Sequence, residues 1–256
     1  MAEMAGARAS SDFAASMEEQ PSGLPLSTEP RRGMQLADRL SVDSWLFIRE
    51  GGASGAAVGT GAPFASYGRS QAGAILRYRL APDSRLEPAA YLRADGALAG
   101  EGERQGAVGL SFRPVAAWPL RAHAEARATR QGGRTDVRPA AFVTAGTDAV
   151  VLPAGFAARA YAQAGYIGGR FSSAFADGRI VADREITRFD LGALRLGGGI
   201  WGGAQRGAQR LDAGPSATLS VGMGALPANI SLDYRVRLAG DAVPGSGAAL
   251  TLSRSF

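Results

Sequence analysis

Small or apolar residues alternate with polar ones along most of the chain after residue 39, and residues 229–238 show the pattern most clearly. The apolar positions there are Ile230, Leu232, Tyr234, Val236 and Leu238, and the polar positions are Asn229, Ser231, Asp233, Arg235 and Arg237. Because successive side chains of an extended strand point to opposite faces, this period of two predicts a strand with one apolar and one polar face.

The same alternation recurs along the chain. In residues 120–130, Leu120 and a series of alanines oppose Arg121, His123, Glu125, Arg127 and Thr129, and similar splits occur within 76–80, 86–93, 108–113, 137–144, 156–163 and 216–223. A soluble β-sandwich or β-helix could produce any one of these. So many strands with so little bulk on the apolar face fit a lipid-facing wall around a polar lumen better.

Turn-rich stretches separate the strands and predict their topology. They lie at 51–69, 81–85, 100–103, 114–119, 131–134, 146–155, 176–179, 189–192, 203–214, 224–228 and 240–247. If the last strand runs into the periplasm at Phe256, the turns alternate between the inner and the outer side of the membrane. Counting them backward gives about twelve strands, an even number within a range of roughly 10 to 16, and places both chain ends in the periplasm. The pattern therefore predicts an all-β fold: an antiparallel, up-and-down transmembrane β-barrel over residues 39–256. Tyr166 and Trp201 are expected at the membrane boundary on the outer side, away from the periplasm.

Composition narrows the class of protein. The chain contains 36 glycines and no cysteine, which excludes disulfides and thiolate chemistry, and no stretch approaches the ~20 apolar residues of a membrane-spanning helix. All 28 basic residues are arginine, so lysine-dependent chemistry is excluded too. Planar guanidinium groups suit carboxylate and phosphate partners.

Residues 1–38 are small, polar and proline-punctuated, and predict a flexible leader or linker. Residues 1–11 lack the basic and apolar regions of a secretory signal. Since an outer-membrane protein must be exported, we expect the chain to be the C-terminal part of a longer precursor, to carry a tag-derived start, or to begin at a misplaced start codon.

The candidate functional residues are the arginines that alternation directs into the lumen. They are Arg77, Arg79, Arg93, Arg113, Arg121, Arg127, Arg138, Arg159, Arg235 and Arg237. An arginine-rich lumen would select anions and acidic chains. The alternative is a closed interior in which these arginines pair with carboxylates, for which the candidates are Glu87, Asp95, Glu125, Asp136, Asp190 and Asp233.

Enzyme, metal and cofactor motifs are weak. The sole histidine, His123, cannot supply a usual metal-ligand set, and we interpret it as an ordinary lumen residue. Gly197, Gly199 and Gly202 satisfy G-x-G-x-x-G, but a dinucleotide site needs a helix after this motif, and both flanking segments are predicted strands. We therefore interpret these glycines as relieving crowding within a barrel strand. The basic residues are spread over many strands, which argues against nucleic-acid binding. We expect no catalytic residue, metal or cofactor.

The C-terminal run GAALTLSRSF resembles the terminal strand by which the outer-membrane assembly machinery recognises bacterial barrels. Leu250, Leu252 and Phe256 carry the resemblance, and Arg254 stands where an apolar residue is more common. The segments SQAGAILRYRL, PAAYLRADGAL and FADGRIVADREITRFDLGALRLGGGIWGG resemble the C-terminal barrels of bacterial proteins with periplasmic helical repeats, such as cellulose-export subunits and phage-adsorption proteins. This resemblance covers roughly residues 70–256.

The resemblance implies an outer-membrane location, with lipid, the assembly machinery, polysaccharide and periplasmic export components as partners. We therefore predict a passive, non-enzymatic conduit for an exopolysaccharide or another polar or anionic solute. The alternative is a structural or surface-receptor barrel with a closed lumen, in which residues 51–69 carry recognition.

Overall fold

The computed structural model describes residues 39–51, 70–98, 104–131, 133–169, 172–223 and 226–255. Within them lie thirteen strands: β1 (Leu40–Arg49), β2 (Gln71–Arg79), β3 (Ala89–Ala97), β4 (Arg104–Phe112), β5 (Leu120–Gln131), β6 (Arg134–Gly146), β7 (Val150–Val151), β8 (Phe156–Ile167), β9 (Ser173–Phe189), β10 (Gly192–Gln205), β11 (Ala208–Met223), β12 (Leu226–Gly240) and β13 (Gly247–Ser255). One 3₁₀ turn, Pro153–Gly155, precedes β8. No helix in these ranges is long and apolar enough to span a membrane.

The twelve long strands close into a barrel. Each is antiparallel to its neighbours in chain order, with the two-residue β7 beside β8 and with β6 pairing directly with β8. β13 completes the ring by pairing with β1 over Asp43↔Ser255 to Arg49↔Ala249. The predicted all-β, up-and-down antiparallel barrel of about twelve strands is confirmed.

The two faces of the barrel wall invert the pattern of a soluble protein. On β12, Leu232 and Tyr234 point outward and are 54% and 51% exposed, whereas Asp233 and Arg235 point inward and are buried. The wall of β5 follows the same rule, with alanines outside and Arg121, His123, Glu125, Arg127 and Thr129 buried inside. An apolar outer surface is stable only against hydrocarbon, so this wall is built to stand in a membrane.

We call the end of the barrel that carries Leu40 and Ser255 the terminal end, and the opposite one the far end. Connections at the terminal end span 80–88, 113–119, 147–155, 190–191 and 224–225. Those at the far end span 50–70, 98–103, 132–133, 168–172, 206–207 and 241–246. Both ends mix short and long connections, so the placement of the terminal end in the periplasm stays a prediction.

Two predicted turns are wrong. Residues 176–179 lie inside β9, which begins at Ser173 after β8 has ended at Ile167. Within 203–214, only Arg206 and Gly207 lie between strands. Gly214 and Pro215 mimic a loop in sequence, but they sit where the β11–β12 ladder is interrupted and β11 remains paired with β10. Proline is tolerated there because it lacks the N–H that a continuous ladder would use.

Two glycines make room for lumen tryptophans. A Cβ on Gly73 would overlap the indole of Trp45, and a Cβ on Gly199 would overlap that of Trp201. Glycine in a strand commonly marks such a close approach. Gly197, Gly199 and Gly202 all lie within β10, as the crowding interpretation of this motif requires.

The predicted leader at 1–38, most of the 51–69 segment and Phe256 lie outside the described residues. Leu250 and Leu252 point outward from β13, each about two-fifths exposed. Their part in assembly stays a prediction.

Candidate functional site: the lumen

All ten predicted arginines lie on the inner side of the barrel. Six of them are buried: Arg77, Arg93, Arg121, Arg127, Arg138 and Arg235. The other four, Arg79, Arg113, Arg159 and Arg237, are partly exposed near the barrel ends. Burial of a guanidinium requires a partner, so the carboxylates around these arginines decide what the lumen can do.

Glu125 on β5 is the centre of the largest network. Its Oε2 accepts a hydrogen bond from the Tyr91 hydroxyl at 2.7 Å, and its Oε1 accepts from Nη2 of Arg93 at 2.9 Å and from Nε of Arg127. Asp95 pairs with Arg93 at 3.1 Å. Tyr91, Arg93 and Asp95 lie on β3, and Glu125 and Arg127 lie on β5, so the network crosses the intervening strand β4.

At the terminal end, Glu87 joins two arginines. Its carboxylate accepts from Arg113 at 2.8 Å and from Arg121 at 2.5 Å, and Arg121 also donates to the Glu87 carbonyl at 2.9 Å. Glu87 has a φ of +43°, which is uncommon for a residue other than glycine. Nearby, Arg77 pairs with Asp43.

At the far end, a buried cluster holds the 241–246 connection against the lumen. Asp212 accepts from Arg49 at 3.0 Å and from Arg210 at 2.6 Å, and all three side chains have no exposed area. The same guanidinium groups donate to loop carbonyls: Arg49 to Gly245 at 3.2 Å, and Arg210 to Gly245 at 3.1 Å. Arg210 also donates to Ala242 at 3.1 Å and to the carbonyl of Pro244.

Aromatic side chains lie between these clusters. The guanidinium of Arg235 lies between the rings of Phe47 and Trp201, with its carbon 5.3 Å and 4.4 Å from their centres. All three side chains are buried to 2% exposure or less. These contacts join strands β1, β10 and β12 across the lumen.

A second aromatic group lies on the opposite wall. Arg127 stands 5.6 Å from the Phe142 ring centre and 5.4 Å from that of Phe175. His123 stacks on Phe142 with ring centres 4.4 Å apart and an interplanar angle of 3°. This group joins strands β5, β6 and β9.

A polar cavity of about 60 Å³ remains inside the terminal-end half of the barrel. On one wall Asp183 accepts from Arg159 at 3.0 Å and from Arg195 at 2.6 Å. The facing wall carries small polar side chains, namely Ser216, Thr218, Ser220, Asn229 and Ser231. Trp201 lines the cavity with a buried indole N–H that has no hydrogen-bond partner.

His123 contacts Thr144 through Nε2 at 3.1 Å and is buried in the lumen wall. No group of three or more His, Cys, Asp or Glu side chains that could hold a metal occurs in the described part of the chain. His123 thus occupies the lumen position that alternation predicts for it.

Sequence reasoning missed several functional side chains. Asp43, Asp183 and Asp212 each bind a lumen arginine, and Arg49 and Arg210 hold the far-end loop. Strand alternation could have found these five residues, since all of them lie at inward positions of their strands. Trp201 is a correction: we expected it at the outer membrane interface, but it faces the lumen, because the outward position beside it belongs to Ile200. Tyr166 does face outward and is 52% exposed.

Closure of twelve strands, an apolar outer wall and a buried ionic interior define a transmembrane β-barrel of the outer-membrane class. No protein-family model matches the sequence, and no curated protein sequence matches it. Among solved structures, the chain is similar to one described as "Bacterial polysaccharide outer membrane secretin", at 7% identity and a TM-score of 0.46, over 85% of this chain and 97% of that one. It is also similar to "LpxR from Salmonella typhimurium", at 10% identity and a TM-score of 0.40, over 84% and 99% of the two chains.

Proposed function

We propose that this outer-membrane barrel is a membrane-embedded scaffold with a closed lumen, and that recognition is carried by segments outside the barrel wall. The observation that carries the proposal is the burial of Arg235 between Phe47 and Trp201. A guanidinium with no exposed area in the middle of the lumen leaves no continuous water path beside it.

The pairing of lumen charges supports the same proposal. Arg93 and Arg127 share Glu125, and Arg49 and Arg210 share Asp212. An anion-selective pore needs unpaired cationic side chains along a wet path. Here each of these four buried arginines has an ion pair with a carboxylate of the wall, which favours a structural interior.

Export of a polysaccharide or another anionic solute is the second candidate, and the polar cavity favours it. Hydroxyl, amide and arginine side chains surround this space, and Arg159 and Arg195 in its wall are about one-fifth exposed. The buried Trp201 ring closes this space from within. A conduit would therefore require the Trp201–Arg235 layer to move.

Conductance in planar bilayers separates the two functions. We expect no steady channels from the natural sequence and measurable channels from Trp201→Ala, because this change removes the ring that closes the cavity from within. Phe47→Ala is a second route to the same opening if Trp201→Ala folds poorly. Leu232→Ala, which removes a large side chain from the outer face of β12, is the matched control and should conduct no more than the natural sequence.

Steady channels from the natural sequence, blocked by added acidic polysaccharide fragments, would overturn the closed scaffold and support the conduit. Channels of equal size from Leu232→Ala and Trp201→Ala would show that leakage reflects general damage, and would likewise remove the basis of the proposal.

A further inference from the structure

One carboxylate serves two guanidinium groups in the wall of the polar lumen cavity. Asp183 accepts from Nη1 of Arg159 at 3.0 Å and from Nε of Arg195 at 2.6 Å. The next carboxylate, that of Glu185, lies 3.9 Å from Arg195 and is bound by Arg188 at 2.7 Å. These three arginines and two carboxylates leave an excess of positive charge beside the cavity, which favours an anion there.

The cavity also offers a hydrogen-bond donor that the protein does not use. Trp201 lines the cavity, and its buried Nε1–H has no hydrogen-bond partner within the described residues. An indole N–H can only donate, and so can a guanidinium group. Both oxygens of Asp183 already lie 3.0 Å from Nη1 of Arg159. A ligand that accepts hydrogen bonds would therefore satisfy the Trp201 group, whose burial without a partner costs free energy.

The opposite side of the cavity carries hydroxyl groups that can turn. Thr218 and Ser231 are hydrogen-bonded to each other at 3.0 Å, and either oxygen can be the donor. Because a hydroxyl hydrogen rotates to suit its partner, this wall can direct a donor toward an anion without movement of the backbone.

The size and exposure of the cavity limit what it can hold. Its volume of about 60 Å³ is far below the roughly 300–1,000 Å³ of the clefts that bind drug-sized ligands. Arg159 and Arg195 keep 20% and 18% of their side-chain surface exposed, so small solutes can reach the cationic wall. The space suits one small ion, or one charged group of a larger molecule.

We propose that this cavity binds a small oxyanion, such as phosphate or a carboxylate, between Arg159, Arg195 and the Trp201 indole N–H. Guanidinium groups bind phosphate and carboxylate oxygens through charge-assisted hydrogen bonds. The hydroxyls of Thr218 and Ser231 complete the site. The proposal goes beyond the closed scaffold and does not rest on it, because binding inside the cavity requires no passage through the barrel.

The test follows the indole N–H resonances of the full chain in a nonionic detergent, with inorganic phosphate as the probe. The Trp201 resonance, assigned by its loss in Trp201→Phe, should move downfield as phosphate is added, because the N–H gains an acceptor. Trp45 is the internal control: its buried indole N–H also lacks a partner among the described residues, but it does not line the cavity. Its resonance should stay in place.

Other solutes identify the chemistry that is recognised. Acetate should move the same resonance, whereas glucose and chloride at equal ionic strength should not. Glucose 6-phosphate tests the source of the oxyanion. A shift with it would extend the site to the charged group of a larger solute, and no shift would restrict the site to free ions.

Variants test the contribution of the cavity wall. Arg195→Gln should weaken phosphate binding roughly tenfold, because it removes a charge-assisted hydrogen bond. Arg85→Gln removes the same charge from an exposed turn at the terminal end and should leave the affinity unchanged. Thr218→Glu should abolish binding while the chain still folds, as checked by heat-modifiable migration on gels, because the added carboxylate takes the place of the ligand.

Several results would overturn the proposal: no movement of the Trp201 resonance with phosphate, an equal movement of the Trp45 resonance, or an equal effect of chloride. Equal losses from Arg195→Gln and Arg85→Gln, or full binding by folded Thr218→Glu, would do the same. A shift with glucose alone would replace the oxyanion by a neutral sugar. None of these measurements depends on conductance, so failure of this site and failure of the closed scaffold are distinguishable.

Discussion

The guanidinium carbon of Arg235 lies 4.4 Å from the centre of the Trp201 ring, and neither side chain is more than 2% exposed. A cation over an aromatic face is attracted by the ring's electron density, and the attraction is largest where water is excluded. The contact ties β12 to β10 through the lumen in addition to their common neighbour β11. It is therefore a cross-brace between two strands of the barrel that are not hydrogen-bonded neighbours.

Replacing Arg235 by alanine should destabilise the barrel by about 3–5 kcal/mol, because the change leaves the buried carboxylate of Asp233 without its Arg235 partner. Arg237→Ala, two residues along the same face but partly exposed, should cost about 1 kcal/mol or less. Urea unfolding followed by tryptophan fluorescence measures both. Equal losses from the two variants would contradict a special role for the buried position.

Glu125→Gln should also cost about 3–5 kcal/mol, since it removes the charge shared by Arg93 and Arg127. Asp136→Asn is the control, because Asp136 lies on the next strand but is exposed, and its loss should stay within about 0.5 kcal/mol. The Glu125 effect should change little between low and high salt, because buried pairs are poorly screened. A loss that disappears in high salt would show that the network is open to solvent.

Asp212→Asn should loosen the 241–246 connection without unfolding the barrel wall. Arg49 and Arg210 would lose the carboxylate that fixes their guanidinium groups under the carbonyls of Ala242 and Gly245. Limited proteolysis should then cut this connection faster than in the natural sequence. Asp83→Asn, in a turn at the terminal end, should leave the cutting rate unchanged. Unchanged cutting in Asp212→Asn would mean that the loop is held by other contacts.

Gly73→Ala should impair folding, because its methyl group would overlap the Trp45 indole and overpacking of this kind costs about 1–3 kcal/mol. Gly245→Ala adds the same methyl group where no atom lies within 4 Å, so it should fold normally. The folded fraction on heat-modifiable gels measures the difference. Rescue of Gly73→Ala by Trp45→Phe would identify the indole as the source of the clash.

Alternation in the sequence was sufficient to assign faces, and all ten proposed lumen arginines lie inside. This worked because a strand in a membrane wall has one face in hydrocarbon and one in a polar interior, so a single period of two determines both. The same rule predicted the closed barrel. It failed at residues 203–214, where Gly214 and Pro215 interrupt a ladder without ending the strand.

The pairing of charges could not be predicted in the same way. Glu125 meets Tyr91 and Arg93 from a strand more than thirty residues earlier, and Asp212 meets Arg49 from the other side of the ring closure. These contacts depend on strand register and on curvature, and neither leaves a local trace in sequence. The sequence therefore left a conducting and a closed lumen open as alternatives.

The Arg49–Asp212 pair also bears on how the barrel forms. Its two members are 163 residues apart, and they meet only after the sheet has curved round and β13 has reached β1. Until then Arg49 lacks its Asp212 partner, and an unpaired inward charge is costly to carry into hydrocarbon. High contact order of this kind makes folding slow. The Arg49–Asp212 contact is then the last part of the ionic interior to form, and it forms only in chains whose ends have met in the right register.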